Sequence, residues 1–280
     1  MSIIEAIILG IIQGLSEFIP ISSTAHLTLA GSYMGLIDPN NPEKWTAFIA
    51  VVQLGTLFAV IYYFYNDIKN TSIDFIKENF TKNKRKFKQQ SVNSKLAWFV
   101  VVGSIPVVTI GIAFKKIIEG NLTKDPIVIG SSLIGLAVIL YIADKTATFK
   151  RDMNQLYWKD AWVVGLAQCV ALIPGSSRSG TTITAGLFLG LNRETAAKFS
   201  FLLGIPAILG SGLLEFYQEY PHLDNSQFLT LSIAIICSAI SGYFAIDFLI
   251  KFLKKRSTLL FVNYRIILGI IVLLNVYLSS

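Results

Sequence analysis

Two polar runs interrupt an otherwise apolar chain, and their residue types suit the handling of a phosphorylated anion. The run Pro174-Gly175-Ser176-Ser177-Arg178-Ser179-Gly180-Thr181-Thr182 sets one arginine and five hydroxyls between the nearly charge-free stretches 161–173 and 183–191. An ionisable side chain at membrane depth costs about 3 kcal/mol or more, so it faces a protein interior or a wet cavity and marks a functional site. Glycines on both sides let the backbone approach a ligand, and N–H groups at a helix start beside a guanidinium suit phosphate. A polar turn between two buried helices is the plainer reading of the same residues.

The second run, Gln13-Gly14-Leu15-Ser16-Glu17-Phe18-Ile19-Pro20-Ile21-Ser22-Ser23-Thr24-Ala25-His26, carries a carboxylate, hydroxyls and an imidazole. Gln13 and Glu17 are four apart and share one helix face, directed toward a break that holds Ser22, Ser23 and His26. Singly, a serine here is a helix cap and the histidine a core residue. Together, in a segment too short to span a membrane, they read as a site.

The elements that must position these residues follow from composition. The chain has 280 residues, 53% hydrophobic and 15% charged, with mean hydropathy +0.60; this is an integral membrane protein. Its +7 net charge clusters between apolar segments, so it reads as membrane topology and not as a nucleic-acid surface. Cys169 and Cys237 lie apart in apolar segments and are expected to be packing residues. The N-terminal stretch lacks a basic leader and a cleavage site, and is expected to stay on the protein.

Ile3–Leu15 would cover only about 20 Å of a ~30 Å hydrocarbon layer. With the proline break and the short apolar piece 27–36, it predicts a re-entrant helical hairpin over 3–36; a second is expected over 161–191. Six longer segments near spanning length follow, at 45–65, 96–114, 127–143, 199–217, 228–250 and 258–278. The loop 66–95 holds eight Lys or Arg against three acids, so it is expected to be cytoplasmic, as are 144–160 and 251–256, whereas 218–227 has acids but no Lys or Arg and fits the outside. These assignments require three spanning helices after each hairpin and both termini outside. The predicted fold class is thus an all-α membrane protein of six transmembrane helices and two re-entrant hairpins, one membrane domain built of two inverted repeats over 1–143 and 160–280. Pro20-Ile21-Ser22-Ser23 aligns with Pro174-Gly175-Ser176-Ser177 at an offset of 154, and Gln13 falls within a residue of Gln168. Inverted repeats bring broken helix tips together near the midplane, their positive dipole ends aimed at an anion.

The two runs resemble the two signature motifs of the undecaprenyl-diphosphate phosphatase family, also known as the bacitracin-resistance proteins, and the resemblance extends over the chain in length, motif order and spacing. It implies hydrolysis of undecaprenyl diphosphate to the monophosphate carrier lipid, recycled for cell-wall synthesis, with phosphate released on the outer face of a bacterial inner (plasma) membrane. The family's functional positions carry over to Gln13, Glu17, Ser23 and His26, and to Ser177, Arg178 and Thr182. Many members have glutamate at the position of Gln13 and threonine at that of Ser16, which leaves Glu17 as the sole acid of the first motif here. The family's need for a divalent cation implies Mg²⁺ or Ca²⁺ on Glu17, with diphosphate and water completing the shell.

Read chemically, Glu17, Ser23, His26 and Arg178 are the expected catalytic residues, and Gln13, Ser22, Ser176, Ser177, Ser179 and Thr182 bind substrate. Arg178 would clamp two phosphate oxygens in a fork that lysine does not reproduce. Ser23, activated by His26 or Glu17, is the favoured nucleophile, ahead of water, with a phosphohistidine at His26 next. The expected partners are the polyprenyl diphosphate substrate and membrane lipid; a homodimer is left open. A transporter or flippase of a phosphorylated lipid is the rival function, because the architecture is that of secondary transporters. The acid-phosphatase-like lipid phosphatases fit poorly: they need a second histidine with aspartate four residues later, and the only other histidine, His222, is followed by Leu223 and Asp224.

Overall fold

Capping residues and prolines punctuate the apolar runs into helices of two lengths. The computed structural model describes residues 1–279, which form helices and connecting turns without a strand element. In chain order the helices are α1 (Ile3–Phe18), α2 (Ser23–Tyr33), α3 (Pro42–Tyr63), α4 (Tyr65–Phe80), α5 (Val92–Ala113), α6 (Lys115–Glu119), α7 (Pro126–Thr146), α8 (Trp158–Val170), α9 (Arg178–Phe188), α10 (Arg193–Glu219), α11 (Asn225–Leu253) and α12 (Leu259–Ser279). Six of them, α3, α5, α7, α10, α11 and α12, are long and apolar enough to cross a membrane. They coincide with the six apolar segments. Four of them start on a side-chain cap: Ser91, Asp125, Asn192 and Asp224 each accept a backbone N–H of the first turn of α5, α7, α10 and α11.

The remaining longer helices are too short for that role. α1 has 16 residues and opens on a reciprocal cap in which Ser2 and Glu5 each accept the other's backbone N–H. It runs to Phe18, three residues beyond the expected Leu15, so Gln13 and Glu17 both sit on rigid helix. At ~1.5 Å per residue it reaches about 24 Å. α2, α8 and α9 have 11, 13 and 11 residues.

Small residues let the short helices sit close to the long ones. A β-carbon on Gly14 would lie 1.9 Å from Ser241 Oγ of α11, and one on Gly10 2.4 Å from the Ala234 carbonyl oxygen. α8 meets α5 in the same way: a β-carbon on Gly165 would lie 2.3 Å from the Gly103 carbonyl oxygen. Close backbone approach is how apolar helices gain packing energy where no water is displaced. α3 packs against α10 and α11, and α7 against α9 and α12. Aromatic rings fill the centre, Phe18 edge-on to Phe201 at 5.0 Å.

The segment 66–95, read above only as a charged loop, holds the amphipathic helix α4. Charge counting hid its buried face. Phe75 packs edge-on to Trp98 of α5 at 5.2 Å, and Asn79 Oδ1 accepts from Gln90 Nε2 and Trp98 Nε1 at 2.9 and 3.3 Å. Near the middle of the sequence, at the end of α7, Asp144 ties three helix ends together. It accepts from Arg193 Nε at 2.6 Å and from the backbone N–H and hydroxyl of Thr258 at 2.7 and 2.8 Å.

Candidate active site

The two polar runs meet at the starts of α2 and α9. Ser22 caps α2, its Oγ accepting from Ala25 N at 3.3 Å; Ser177 caps α9, its Oγ accepting from Gly180 N at 3.1 Å. Both serines have left-handed backbone, φ +76° and +68°, a conformation unfavourable for a residue with a β-carbon. Such strain concentrates at functional sites, where the surrounding structure holds it in place. Each strained cap turns the next residue, Ser23 or Arg178, into the first helical position, so both side chains start from a helix N-terminus.

Glu17 is the hub. Its Oε2 accepts from Gln13 Nε2 at 2.9 Å and from Ser23 Oγ at 2.6 Å, while its Oε1 accepts from Arg178 at 2.9 Å. Glu17 is 4% exposed and Gln13 fully buried, so the carboxylate is held by three donors in a desolvated setting where such bonds are strong. The Glu17–Arg178 pair joins residues 161 positions apart and thereby joins the two motifs. Arg178 also donates to the Ser200 carbonyl oxygen at 3.4 Å. Its guanidinium occupies space that only glycine leaves: a β-carbon on Gly204 would lie 1.7 Å from one of its terminal nitrogens.

The other expected residues take graded places around this hub. Ser179 Oγ lies 3.2 Å from the Glu17 carbonyl oxygen and 3.2 Å from Ser177 Oγ. Thr182 stands behind Arg178, its hydroxyl donating to the Arg178 carbonyl oxygen at 2.7 Å and paired with Ser200 Oγ at 2.6 Å. Ser176 is fully buried and its Oγ has no hydrogen-bond partner. Both ring nitrogens of His26 are engaged by groups other than Ser23. Its Nδ1 is 2.7 Å from the Ser22 carbonyl oxygen, which can only accept, so Nδ1 carries the hydrogen; Nε2 is 2.6 Å from the Tyr264 hydroxyl, with the two rings stacked at 5.6 Å.

Four contributors escaped the sequence reading: Ser200, Gly204, Tyr264 and Arg265. Arg265 is fully buried in α12 and forms no ion pair among the described residues. It donates to carbonyl oxygens of both breaks, Gly175 and Ser176 at 3.1 and 3.0 Å and Pro20 at 3.4 Å. The signal was present: Arg265 is the one charge in the apolar run 259–278, and a lone intramembrane arginine is a functional candidate. With Arg178, Arg265 and two helix N-termini against one carboxylate, the site carries net positive potential suited to an anion.

Among the described residues no three His, Cys, Asp or Glu side chains converge as metal ligands. The chain therefore does not build a complete shell. Two oxygen donors fit a hard cation: the Glu17 carboxylate and the neighbouring Gln13 Oε1, which is buried without a partner.

Comparison with known proteins gives this geometry a context. A family model described as bacitracin resistance protein BacA matches residues 6–271. A protein of Syntrophobacter fumaroxidans named undecaprenyl-diphosphatase is 54% identical over 96% of this chain and 95% of its own. Proteins with the same name from Chlorobaculum tepidum and Myxococcus xanthus are 46% and 44% identical, covering 96% and 98% of this chain and 95% and 89% of theirs.

Proposed function

The chain belongs to the bacitracin resistance protein BacA family, and from that premise we propose that it hydrolyses undecaprenyl diphosphate to undecaprenyl phosphate and inorganic phosphate. The single observation that carries the reading is the Glu17 carboxylate held at once by Ser23 and Arg178, one from each motif. The rival transport reading gains nothing from the relatives, whose shared name denotes hydrolysis.

Ser23 Oγ, already hydrogen-bonded to Glu17, attacks the terminal phosphorus while its proton passes to Oε2. The anhydride P–O bond breaks and undecaprenyl phosphate departs with the bonding electrons. The leaving phosphate oxygen takes the proton from Oε2, which regenerates the Glu17 carboxylate; that carboxylate then accepts a proton from water as the water oxygen cleaves the phosphoserine P–O bond, and it returns the proton to Ser23 Oγ, which leaves with the bonding electrons as phosphate is released. Glu17 serves as the base because it, and not His26, touches Ser23. Arg178 keeps N–H groups beyond those given to Glu17 and Ser200 for phosphate oxygens, and the first turns of α2 and α9 add backbone donors. A divalent cation, Mg²⁺ or Ca²⁺, would rest on Glu17 and Gln13 Oε1 with the diphosphate, neutralising charge on the departing group.

We further read α1–α2 and α8–α9 as re-entrant hairpins related by an inverted repeat. Support comes from an offset of 155 residues that pairs the strained caps Ser22 and Ser177, Gln13 with Gln168, and the close-packing Gly10 with Gly165. This offset is one residue more than motif alignment gave, because the second break carries an extra residue between proline and cap. The packing is reciprocal: α1 lies on α11 as α8 lies on α5, and α2 touches α12 through His26 and Tyr264 as α9 touches α7. Both motifs come from one chain, so a second copy is not needed to complete the site. Opening toward the outer side of a bacterial inner membrane is favoured by the ion pairs Arg193–Asp144 and Arg151–Asp160, which tie the helix ends beside the basic loops.

Purified protein in detergent, given C55 diphosphate, should release phosphate, and chelator should abolish that release. Binding without phosphate release would favour transport; release unaffected by chelator would remove the cation from the account.

A further inference from the structure

The basic segment after α4 and the outer face of that helix form a feature that hydrolysis does not use. Three acids lie in 66–95, and each is engaged within the protein. Asp67 pairs with Lys198 at 2.7 Å, Glu78 with Arg85 at 3.2 Å, and Asp74 accepts from Asn93 at 2.8 Å. Lys69, Lys77, Lys82, Lys84, Lys86 and Lys88 are exposed and form no ion pair among the described residues. Six positive charges are therefore concentrated without internal compensation.

Beside them runs an apolar stripe. Tyr65, Ile73, Ile76 and Phe80 of α4 are 50–72% exposed, and Ile76 also reaches the groove that α4 forms with α5 and α10. Between α4, α5 and α10 lies an apolar groove of about 340 Å³, lined by Ile68, Phe75, Val101, Leu202 and Ile205 among others. A charged segment next to a helix with an apolar outer face is the pattern of an element lying in the membrane interface, its lysines at headgroup level and its apolar residues among acyl chains.

We propose that α4 and the segment 82–88 form a binding site for an anionic phospholipid, the phosphate-bearing headgroup held by the lysines and an acyl chain laid in the groove. Charge selects the class: a zwitterionic lipid fills the groove equally well but offers no net charge to the six lysines. Continuity with the spanning helices α5 and α10 selects a lipid over an acidic protein, because the groove opens between elements that themselves contact acyl chains. None of the residues belongs to the Glu17 site, so phosphate release in detergent is independent of this binding.

Native mass spectrometry of the detergent-purified protein, titrated with phosphatidylglycerol or phosphatidylcholine, reads the claim directly. Phosphatidylglycerol should be retained at least about tenfold better than phosphatidylcholine. The combined variant Lys82→Gln, Lys84→Gln, Lys86→Gln, Lys88→Gln should lose that preference while keeping wild-type phosphate release, which certifies its fold. Raising salt on the unmodified protein probes the same electrostatics without any substitution and should also erase the preference. Equal retention of the two lipids by the wild type overturns the proposal, as does a preference untouched by both salt and lysine replacement.

Discussion

The Ser23 hydroxyl and the Glu17 carboxylate are 2.6 Å apart and act as one chemical unit. Ser23→Ala should lower kcat by about 10³ or more while leaving binding of the diphosphate lipid nearly intact, since Arg178 and the helix tips still hold the anion. Adding Glu17→Gln should cost little further, because residues that act together fail together. Multiplying losses would separate their roles. Arg178→Lys retains charge but not the fork, and a fall of about tenfold or more in turnover is expected. Gly204→Ala tests the same guanidinium from behind: its methyl group displaces Arg178, so turnover should drop while the melting temperature moves little. A Gly204→Ala enzyme with normal kcat would mean that the seat of Arg178 is not tuned. Both motif runs were legible in the sequence because polar groups stand out in apolar surroundings. The partner of His26 was not, because it lies 238 positions away on α12, and its identity depends on how that helix is rotated.

At the level of elements, hydropathy located all six long helices because each apolar run approaches the length a bilayer requires. It passed over α4, whose apolar residues alternate with charges that dominate a loop count. The motif alignment of the two breaks, at an offset of 154, differs by one residue from the spacing of 155 between the left-handed caps Ser22 and Ser177. Short helices in this fold depend on glycine contacts for their seating. Gly165→Val should therefore lower stability by roughly 1–3 kcal/mol through overpacking against Gly103, seen as a reduced melting temperature in detergent. An unchanged melting temperature would mean that α8 is loosely held and does not fix Arg178 through its packing on α5.

For the whole molecule, the proposed inverted-repeat topology puts 82–88 and 221–226 on opposite sides. In a background with Cys169 and Cys237 replaced, Lys84→Cys should resist an impermeant thiol reagent in intact cells and Ser226→Cys should react. The reverse pattern would contradict the inverted repeat. What joins the two motifs is the Glu17–Arg178 pair, a specific contact that loop charge and the inverted-repeat expectation, which placed the two breaks in one site, did not name. The most direct test of that union is phosphate release from C55 diphosphate by purified wild-type, Glu17→Gln and Arg178→Lys proteins that bind the lipid equally well. The account predicts release by the wild type and a loss of at least about 10² in kcat on removing the Glu17 base, with Arg178→Lys also impaired; near-normal turnover by Glu17→Gln would contradict it.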